Sequence, residues 1–195
     1  MGAIGCFSFY PGKNLGACGE GGALVTNDAV VATKARMLRD HGQSQKHIHS
    51  AIGYNYRMDD FQGAVLAVKL RYLNAWTEQR RSVAAQYDKL LANCGAVCPR
   101  HFPDGGHVYH LYVIRDDDRD GLREHLKKQG VASGMHYPIP IHLQEPFHRF
   151  GCKEGDLPIT EALARTCLSL PIYPEMSPGQ VEYAAQVICS AGGSD

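Results

Sequence analysis

The sequence has no excess of charge of either sign. Its 195 residues include 20 basic and 20 acidic side chains, so the formal net charge is zero. Proteins bind phosphate backbones and anionic lipid surfaces through clustered positive charge. We therefore expect neither a nucleic acid nor a membrane among the partners of this protein.

Long apolar runs are also missing. No uninterrupted run approaches the roughly 18 residues that a bilayer span needs, and the first residues lack the basic and apolar regions of a secretory signal peptide. Hydrophobic residues make up 44% of the chain, which is enough to build a core in one large domain or two small ones. These features predict a globular protein of the cytoplasm.

Cysteine and histidine show no metal-binding pattern. The seven cysteines are an odd number with irregular spacing, and no second pair accompanies Cys94 and Cys98. A disulfide framework favours an even number, and a zinc site favours Cys-x-x-Cys pairs. The ten histidines include no His-Glu-x-x-His motif. We expect small, buried, unpaired cysteines in a reducing cytoplasm, and no metal.

The hydrophobic pattern predicts two regions joined by a long helix. An aromatic strand over residues 3–10 and a strand over 23–26 precede a helix that begins at Asn27 or Asp28 and ends near Asp40. Residues 41–58 are polar and irregular. One helix from Asp59 to about Ala92 follows, with an apolar stripe formed by Phe61, Val65, Val68, Tyr72 and Trp76.

Strands and helices alternate in the remaining sequence. We expect strands over 107–115 and 131–136, and helices over 120–129, 159–166 and 178–190. The predicted domains are an α/β region over residues 1–58, a linking helix over 59–94 and a compact α+β domain over 95–195.

One lysine lies in a glycine-rich loop directly after the first strand. Five glycines between Gly12 and Gly22 surround Lys13, and glycine allows a backbone to approach a ligand closely. The phosphate-binding P-loop motif fails because Asn14 follows the lysine, and no G-x-G-x-x-G dinucleotide motif is present. An amine at the end of a buried strand loses hydration, which favours its neutral, nucleophilic form. A solvated surface charge is the alternative.

Four segments together resemble a known family. Ser8-Phe9-Tyr10-Pro11-Gly12-Lys13-Asn14, with the following Gly19-Glu20-Gly21-Gly22, resembles the pyridoxal-phosphate lysine motif of the DegT/DnrJ/EryC1/StrS sugar aminotransferases. Three further segments agree in the same order, namely residues 53–58, 136–144 and 168–174. The resemblance implies an α/β fold of the fold-type I pyridoxal-phosphate (PLP) transferases, with part of the large-domain sheet and a complete C-terminal α+β small domain.

The resemblance also implies roles for individual residues. Lys13 would form the Schiff base with the cofactor aldehyde and shuttle the proton, and Ser8 would bind the cofactor phosphate. Asn55 would reach across a homodimer interface to the partner's cofactor phosphate, with Arg57 near the shared site. The alternatives are a turn cap for Ser8, and a helix start and a surface ion pair for Asn55 and Arg57.

The resemblance also has an implication for the proline-rich loop that contains Pro138, Pro140 and Pro146. By resemblance, His136, Tyr137 and His142 lie near the entrance for a nucleotide-sugar substrate. The alternative for the two histidines is simple packing inside the loop.

The activity implied by the resemblance is transamination. An amino-acid donor, in this family usually glutamate, would give its nitrogen to PLP, and a keto-sugar on a nucleoside diphosphate would receive it. The presence of Lys13 argues against the branch of the family that has histidine at this position and deoxygenates sugars. A non-catalytic dimerisation or regulatory module is the alternative.

Members of the family carry a further half of the large domain ahead of the matching region. That half supplies the phosphate-binding helix, the ring-stacking aromatic residue and the Asp that pairs with the pyridine nitrogen. We therefore expect this chain to be a C-terminal fragment, inactive alone. Its first strands should have uncovered edges and apolar faces, and residues from about 95 onward should be better folded.

Overall fold

The computed structural model describes residues 2–100 and 106–191, so the predicted domains 1–58 and 95–195 each include positions outside the described residues. The chain divides into two compact units, Met1–Asn74 and Ala75–Asp195. We describe each unit by itself. No helix among the described residues is both long and apolar enough to cross a membrane.

The first unit contains short strands and two helices, in the order β1 (Gly5–Ser8), β2 (Gly22–Val25), α1 (Ala29–Arg39), β3 (Gln43–Gln45), β4 (Ile48–His49) and α2 (Asp60–Leu70). Strands β1 and β2 are antiparallel, with Gly5 opposite Val25 and Ser8 opposite Gly22. Helix α1 begins where the sequence predicts, because the carboxylate of Asp28 accepts the backbone N–H groups of Val30 and Val31.

The first unit buries little of its apolar surface. All residues of β1 and β2 are exposed except the partly buried Gly5, as expected for strands without a covering layer. Leu66 is the one buried residue of α2, whereas Phe61 and Val68 of the predicted stripe are 67% and 55% exposed. These two positions of the stripe are therefore not buried, whereas Val65 is partly buried.

The prediction of one helix from Asp59 to Ala92 is wrong. Helix α2 ends at Leu70, and a separate helix, α3, spans Leu73–Leu91. At the junction Arg71 and Tyr72 donate their N–H groups to residues three positions earlier, Val68 and Lys69. Hydrophobic periodicity does not reveal this break, because the apolar spacing continues through the tight turn between two regular helices.

The second unit contains α3 from Ala75 onward. It continues with β5 (Tyr112–Arg115), α4 (Arg119–Lys128), 3₁₀ turns at Ile141–Leu143 and Glu145–Phe150, α5 (Pro158–Thr166), β6 (Cys167–Leu170) and α6 (Pro178–Ala191). Strands β5 and β6 are antiparallel, with Tyr112 opposite Leu170. Two strand predictions need correction. The strand expected over 107–115 is limited to β5, and the one expected over 131–136 is a single bridge between Gly134 and Ser169.

The hydrophobic core lies in the second unit and combines residues of α3, β5, α4, β6 and α6. Its largest fully buried side chains are Tyr87, Tyr112, Leu91, Ile114, Leu126, Leu168 and Val181. Burial raises the pKa of the two tyrosines, which keeps both phenols neutral, and their hydroxyl groups donate to the carbonyl of Pro171 and the carboxylate of Asp88. The core therefore includes residues of α3 as well as residues beyond position 95.

The cysteines differ from the expectation of small, buried, unpaired residues. Cys94 and Cys189 form a disulfide, which sequence spacing could not indicate because the two residues lie 95 positions apart. Among the unpaired cysteines only Cys167 is buried, whereas Cys6, Cys18 and Cys152 are exposed and Cys98 is partly buried.

Candidate active site

The chain reverses direction directly after β1, and this turn places Ser8 and Lys13 in one loop. The backbone N–H of Lys13 donates to the carbonyl of Tyr10 at 2.8 Å, and that of Phe9 donates to Gly21 at 2.8 Å. The hydroxyl of Ser8 accepts the N–H of Tyr10 at 3.3 Å. The strand end and the glycine-rich segment therefore hold the lysine a single turn away from the serine.

Close backbone contacts shape the rest of this loop. A Cβ atom on Gly16 would lie 2.3 Å from the carbonyl oxygen of Pro11, so only glycine fits there. The N–H of Ala17 donates to the carbonyl of Phe9 at 2.8 Å, and the ammonium group of Lys69 donates to the carbonyl of Gly16. The loop is thus closed on the β1 end and tied to α2.

The functional groups of this loop fit the cofactor that the resemblance implies. The side chain of Lys13 is partly buried and forms no hydrogen bond or ion pair with any residue in the described ranges, while Ser8 is exposed. An amine can condense with the PLP aldehyde, and a hydroxyl on the same strand end can donate to a phosphate oxygen. These two groups suit the two ends of that ligand.

Asn55 and Arg57 lie together at the end of α1. The backbone of Asn55 forms an antiparallel bridge with Asp40, and Nη1 of Arg57 lies 2.5 Å from Oδ1 of the same aspartate. Arg57 thus forms the surface ion pair that was its alternative interpretation, with both side chains nearly half exposed. The rings of Tyr54 and Tyr56, on either side of Asn55, are stacked with centroids 4.8 Å apart.

The hairpin of β3 and β4 borders an open cavity of about 700 Å³. The sequence pattern did not predict this cavity. Arg57 and Asp40 line it together with three histidines, His41, His47 and His49. The clustering of histidines between residues 41 and 49 was the available signal. The hairpin itself went unrecognised because its turn uses His47, a non-glycine residue with positive φ, instead of a typical turn dipeptide.

Three predicted substrate residues lie in the second unit, in unlike environments. Nδ1 of His136 lies 2.8 Å from the hydroxyl of Ser169, and Tyr137 is 70% exposed. His142 is buried, and its Nε2 lies 3.0 Å from Oε1 of Glu161. Among the described residues no group of three or more His, Cys, Asp or Glu side chains is arranged to hold a metal ion.

The pKa of Glu161 is lowered from its ordinary value of 4.5. The main cause is the backbone N–H of Gly155, which donates to the carboxylate, and the contact with His142 acts in the same direction. Desolvation opposes these effects without reversing them. Glu161 is therefore ionised at neutral pH despite its burial.

Comparison with known proteins assigns the chain to a family. Residues 1–189 match the model of the DegT/DnrJ/EryC1/StrS aminotransferase family, and the chain belongs to that family. Its members are PLP-dependent aminotransferases of α/β fold, in agreement with the sequence prediction.

Individual relatives agree with this assignment. The chain is 44% identical to a pleiotropic regulatory protein of Geobacillus stearothermophilus, over 96% of this chain and 51% of that protein. It is also 44% identical to dTDP-3-amino-3,4,6-trideoxy-alpha-D-glucose transaminase of Streptomyces venezuelae, over 89% of this chain and 46% of that enzyme. The crystal structure of S. venezuelae DesV in complex with a ketimine intermediate matches all of this chain and 53% of its own, with a TM-score of 0.93 and 40% identity. The chain spans about half the length of these relatives.

Proposed function

We propose that this chain supplies the lysine-bearing part of a PLP-dependent aminotransferase that acts on a nucleotide-linked keto-sugar. The amino-acid donor would be glutamate. The observation that carries the proposal is the presence of Lys13 and Ser8 in the same glycine-rich loop, in a chain that belongs to this aminotransferase family. The name of the S. venezuelae relative, a transaminase of a dTDP-linked sugar, supports a nucleotide sugar as acceptor.

In this proposal Lys13 has two tasks. Its Nζ would hold the cofactor through the aldehyde group, and once substrate takes that place the same atom would accept and return the proton that moves during transamination. Bound PLP supplies the electron sink that makes the substrate C–H bond acidic. The turn between Ser8 and Lys13 fixes the distance between amine and phosphate anchor, so that proton transfer takes place from a held position.

The remaining residues have positioning and recognition roles in the proposal. The hydroxyl of Ser8 donates to the cofactor phosphate. Asn55 donates from its exposed amide to the phosphate bound in a second copy of the chain, so that the working unit is a homodimer. In the first unit, Arg57 is assigned to nucleotide-sugar binding. In the second unit, the exposed Tyr137 and the neighbouring His136 are assigned to the substrate entrance.

The reaction would occur where nucleotide sugars and free amino acids are made, which places this enzyme in the cytoplasm. Its product would be an amino sugar for polysaccharide or antibiotic synthesis. The name of the spore-coat polysaccharide protein SpsC of Bacillus subtilis, 32% identical over 96% of this chain, supports the former.

A second candidate function is a non-catalytic regulatory module, in which Lys13 only retains a ligand. It is favoured by the name of the Geobacillus relative, a pleiotropic regulatory protein. Both functions predict cofactor binding, so turnover separates them.

Titration of the protein with PLP tests cofactor binding, which both proposed functions require. The visible absorbance band of protein-bound pyridoxal should appear with the native chain and disappear in Lys13→Ala. Lys34→Ala, which removes an exposed lysine of α1, is the matched control and should retain the band. Addition of glutamate and a nucleotide-linked keto-sugar to the chain combined with the complementary half of the family fold should then yield an amino sugar. Cofactor binding without turnover would favour the regulatory module.

A further inference from the structure

The segment over residues 136–160 is held by very little apolar packing. His142 is its only buried residue, and nearly all the others are exposed. An exposed segment of this length gains little from the hydrophobic effect. Specific polar contacts must therefore determine its conformation.

Glu161, in the first turn of α5, makes those contacts. Its Oε1 accepts from Nε2 of His142 at 3.0 Å, from the N–H of Gly155 at 3.0 Å and from that of Leu157 at 3.2 Å. Its Oε2 lies 3.0 Å from the same N–H of Gly155. One buried carboxylate thus fixes the segment at three separate points, and hydrogen bonds to a buried charge are stronger than neutral ones.

The contact with Glu161 determines which ring nitrogen of His142 carries the hydrogen. Its Nε2 must carry the hydrogen that Glu161 accepts, while its buried Nδ1 has no hydrogen-bond partner among the described residues. A hydrogen on Nδ1 would be buried without an acceptor, which is unfavourable. The hydrogen-bond network therefore assigns the neutral Nε2–H tautomer.

We propose that Glu161 is the positioning residue of the segment over residues 136–160, which the proposed function places at the substrate entrance. Glu161 acts through His142 and the amides of Gly155 and Leu157. His142 in this assignment holds the segment and does not touch substrate, whereas the exposed Tyr137 on the same segment does. The link to substrate rests on the proposed function. The anchoring of the segment is a property of this chain alone and is testable without cofactor.

Hydrogen exchange of the full chain, followed by mass spectrometry, tests the anchoring. In Glu161→Gln, amides over residues 152–157 should exchange about tenfold faster or more, because the carboxylate that protects them is lost. Amides of β5 and β6 should keep their native rates. Glu154→Gln removes an exposed carboxylate of the same segment and should change nothing.

His142 variants provide an independent test and a rescue. His142→Leu should speed exchange over 152–157, whereas His142→Gln, which retains an N–H donor, should stay within about threefold of the native rate. Nitrogen NMR of the native chain should show hydrogen on Nε2 of His142. The proposal would be overturned by unchanged exchange in Glu161→Gln and His142→Leu, by equal acceleration in β5 and β6, or by hydrogen on Nδ1.

Discussion

Cys94 and Cys189 are joined by a disulfide that ties the residues after α3 to the last turns of α6. The bonded cysteines lie 95 positions apart, so the closed loop contains β5, α4, α5 and β6. A cross-link over so long a loop removes many conformations of the unfolded chain. The bond therefore favours the folded second unit.

Loss of this disulfide should destabilise the second unit strongly. Reduction, or the Cys189→Ser substitution, should lower the free energy of unfolding by about 2–4 kcal/mol. Urea unfolding followed by tryptophan fluorescence measures this directly, because the single tryptophan, Trp76, lies in α3. Cys152→Ser, at an exposed unpaired cysteine, should have no effect. Equal stability with and without reductant would show that the bond contributes nothing.

The lowered pKa of Glu161 predicts a loss of stability in acid. The unfolded chain binds a proton at this group near pH 4.5, and the folded chain binds it only at lower pH, so the unfolded state holds more protons between these values. The stabilisation that ionised Glu161 gives to the folded state is therefore complete above the pKa of Glu161 in the unfolded chain. It is lost as the pH falls through the lower pKa of Glu161 in the folded chain. Within the described residues, His142 is the side chain that forms a hydrogen bond with Glu161 and helps to lower its pKa.

Acid titration of the native chain and of Glu161→Gln tests this sign. The native chain should lose stability as the pH falls below about 5, and the variant should show a shallower decline over the same range. Glu154→Gln should follow the native curve. If the stability of the variant declined with pH in parallel with that of the native chain, the pKa of Glu161 would be the same in the folded and unfolded chains.

The two units should differ in resistance to local opening. Strands β1 and β2 are exposed, whereas β6 is buried and β5 half-buried within the core of the second unit. Exchange protection follows such burial, so amides of β1 and β2 should exchange at least about tenfold faster than those of β5 and β6. Hydrogen exchange of the full chain measures the amides of both strand pairs in one experiment. Faster exchange in β5 and β6 would contradict the assignment of the core.

The ion pair of Arg57 with Asp40 should matter little for stability. Both side chains are nearly half exposed, and such pairs contribute about 0–1 kcal/mol. Arg57→Met and Asp40→Asn should thus each change the free energy of unfolding by less than about 1 kcal/mol. If Arg57 contacts the nucleotide sugar, only Arg57→Met should weaken its binding, as measured by calorimetry. Equal weakening in both variants would indicate that the ion pair, not the arginine alone, is needed.

Local signals in the sequence predicted part of the fold correctly. The cap at Asp28, the helices α4, α5 and α6, and the loop that joins Ser8 to Lys13 all follow from neighbouring residues. Strand β6 was missed because it directly follows α5 at Thr166, with no glycine or proline to mark the change. The strand expected over 131–136 failed because its pairing depends on that distant partner.

Non-local contacts explain the rest of the differences. The burial of His142 requires Glu161, which lies 19 positions further along the chain. The pairing of Arg57 with Asp40 spans 17 positions. Such partners are fixed by the folded chain as a whole, so residue type and spacing indicated a histidine and an arginine of interest without indicating what each one contacts.

Borohydride trapping shows whether Nζ of Lys13 bonds covalently to PLP, on which the proposed function depends. The full chain, alone and mixed with the complementary half of the family fold, is incubated with PLP, reduced and digested for peptide mass spectrometry. We expect a pyridoxyl group on the peptide that contains Lys13, and none on the corresponding peptide of Lys13→Ala. Labelling spread over exposed lysines such as Lys34, with Lys13 unmodified in both preparations, would contradict it.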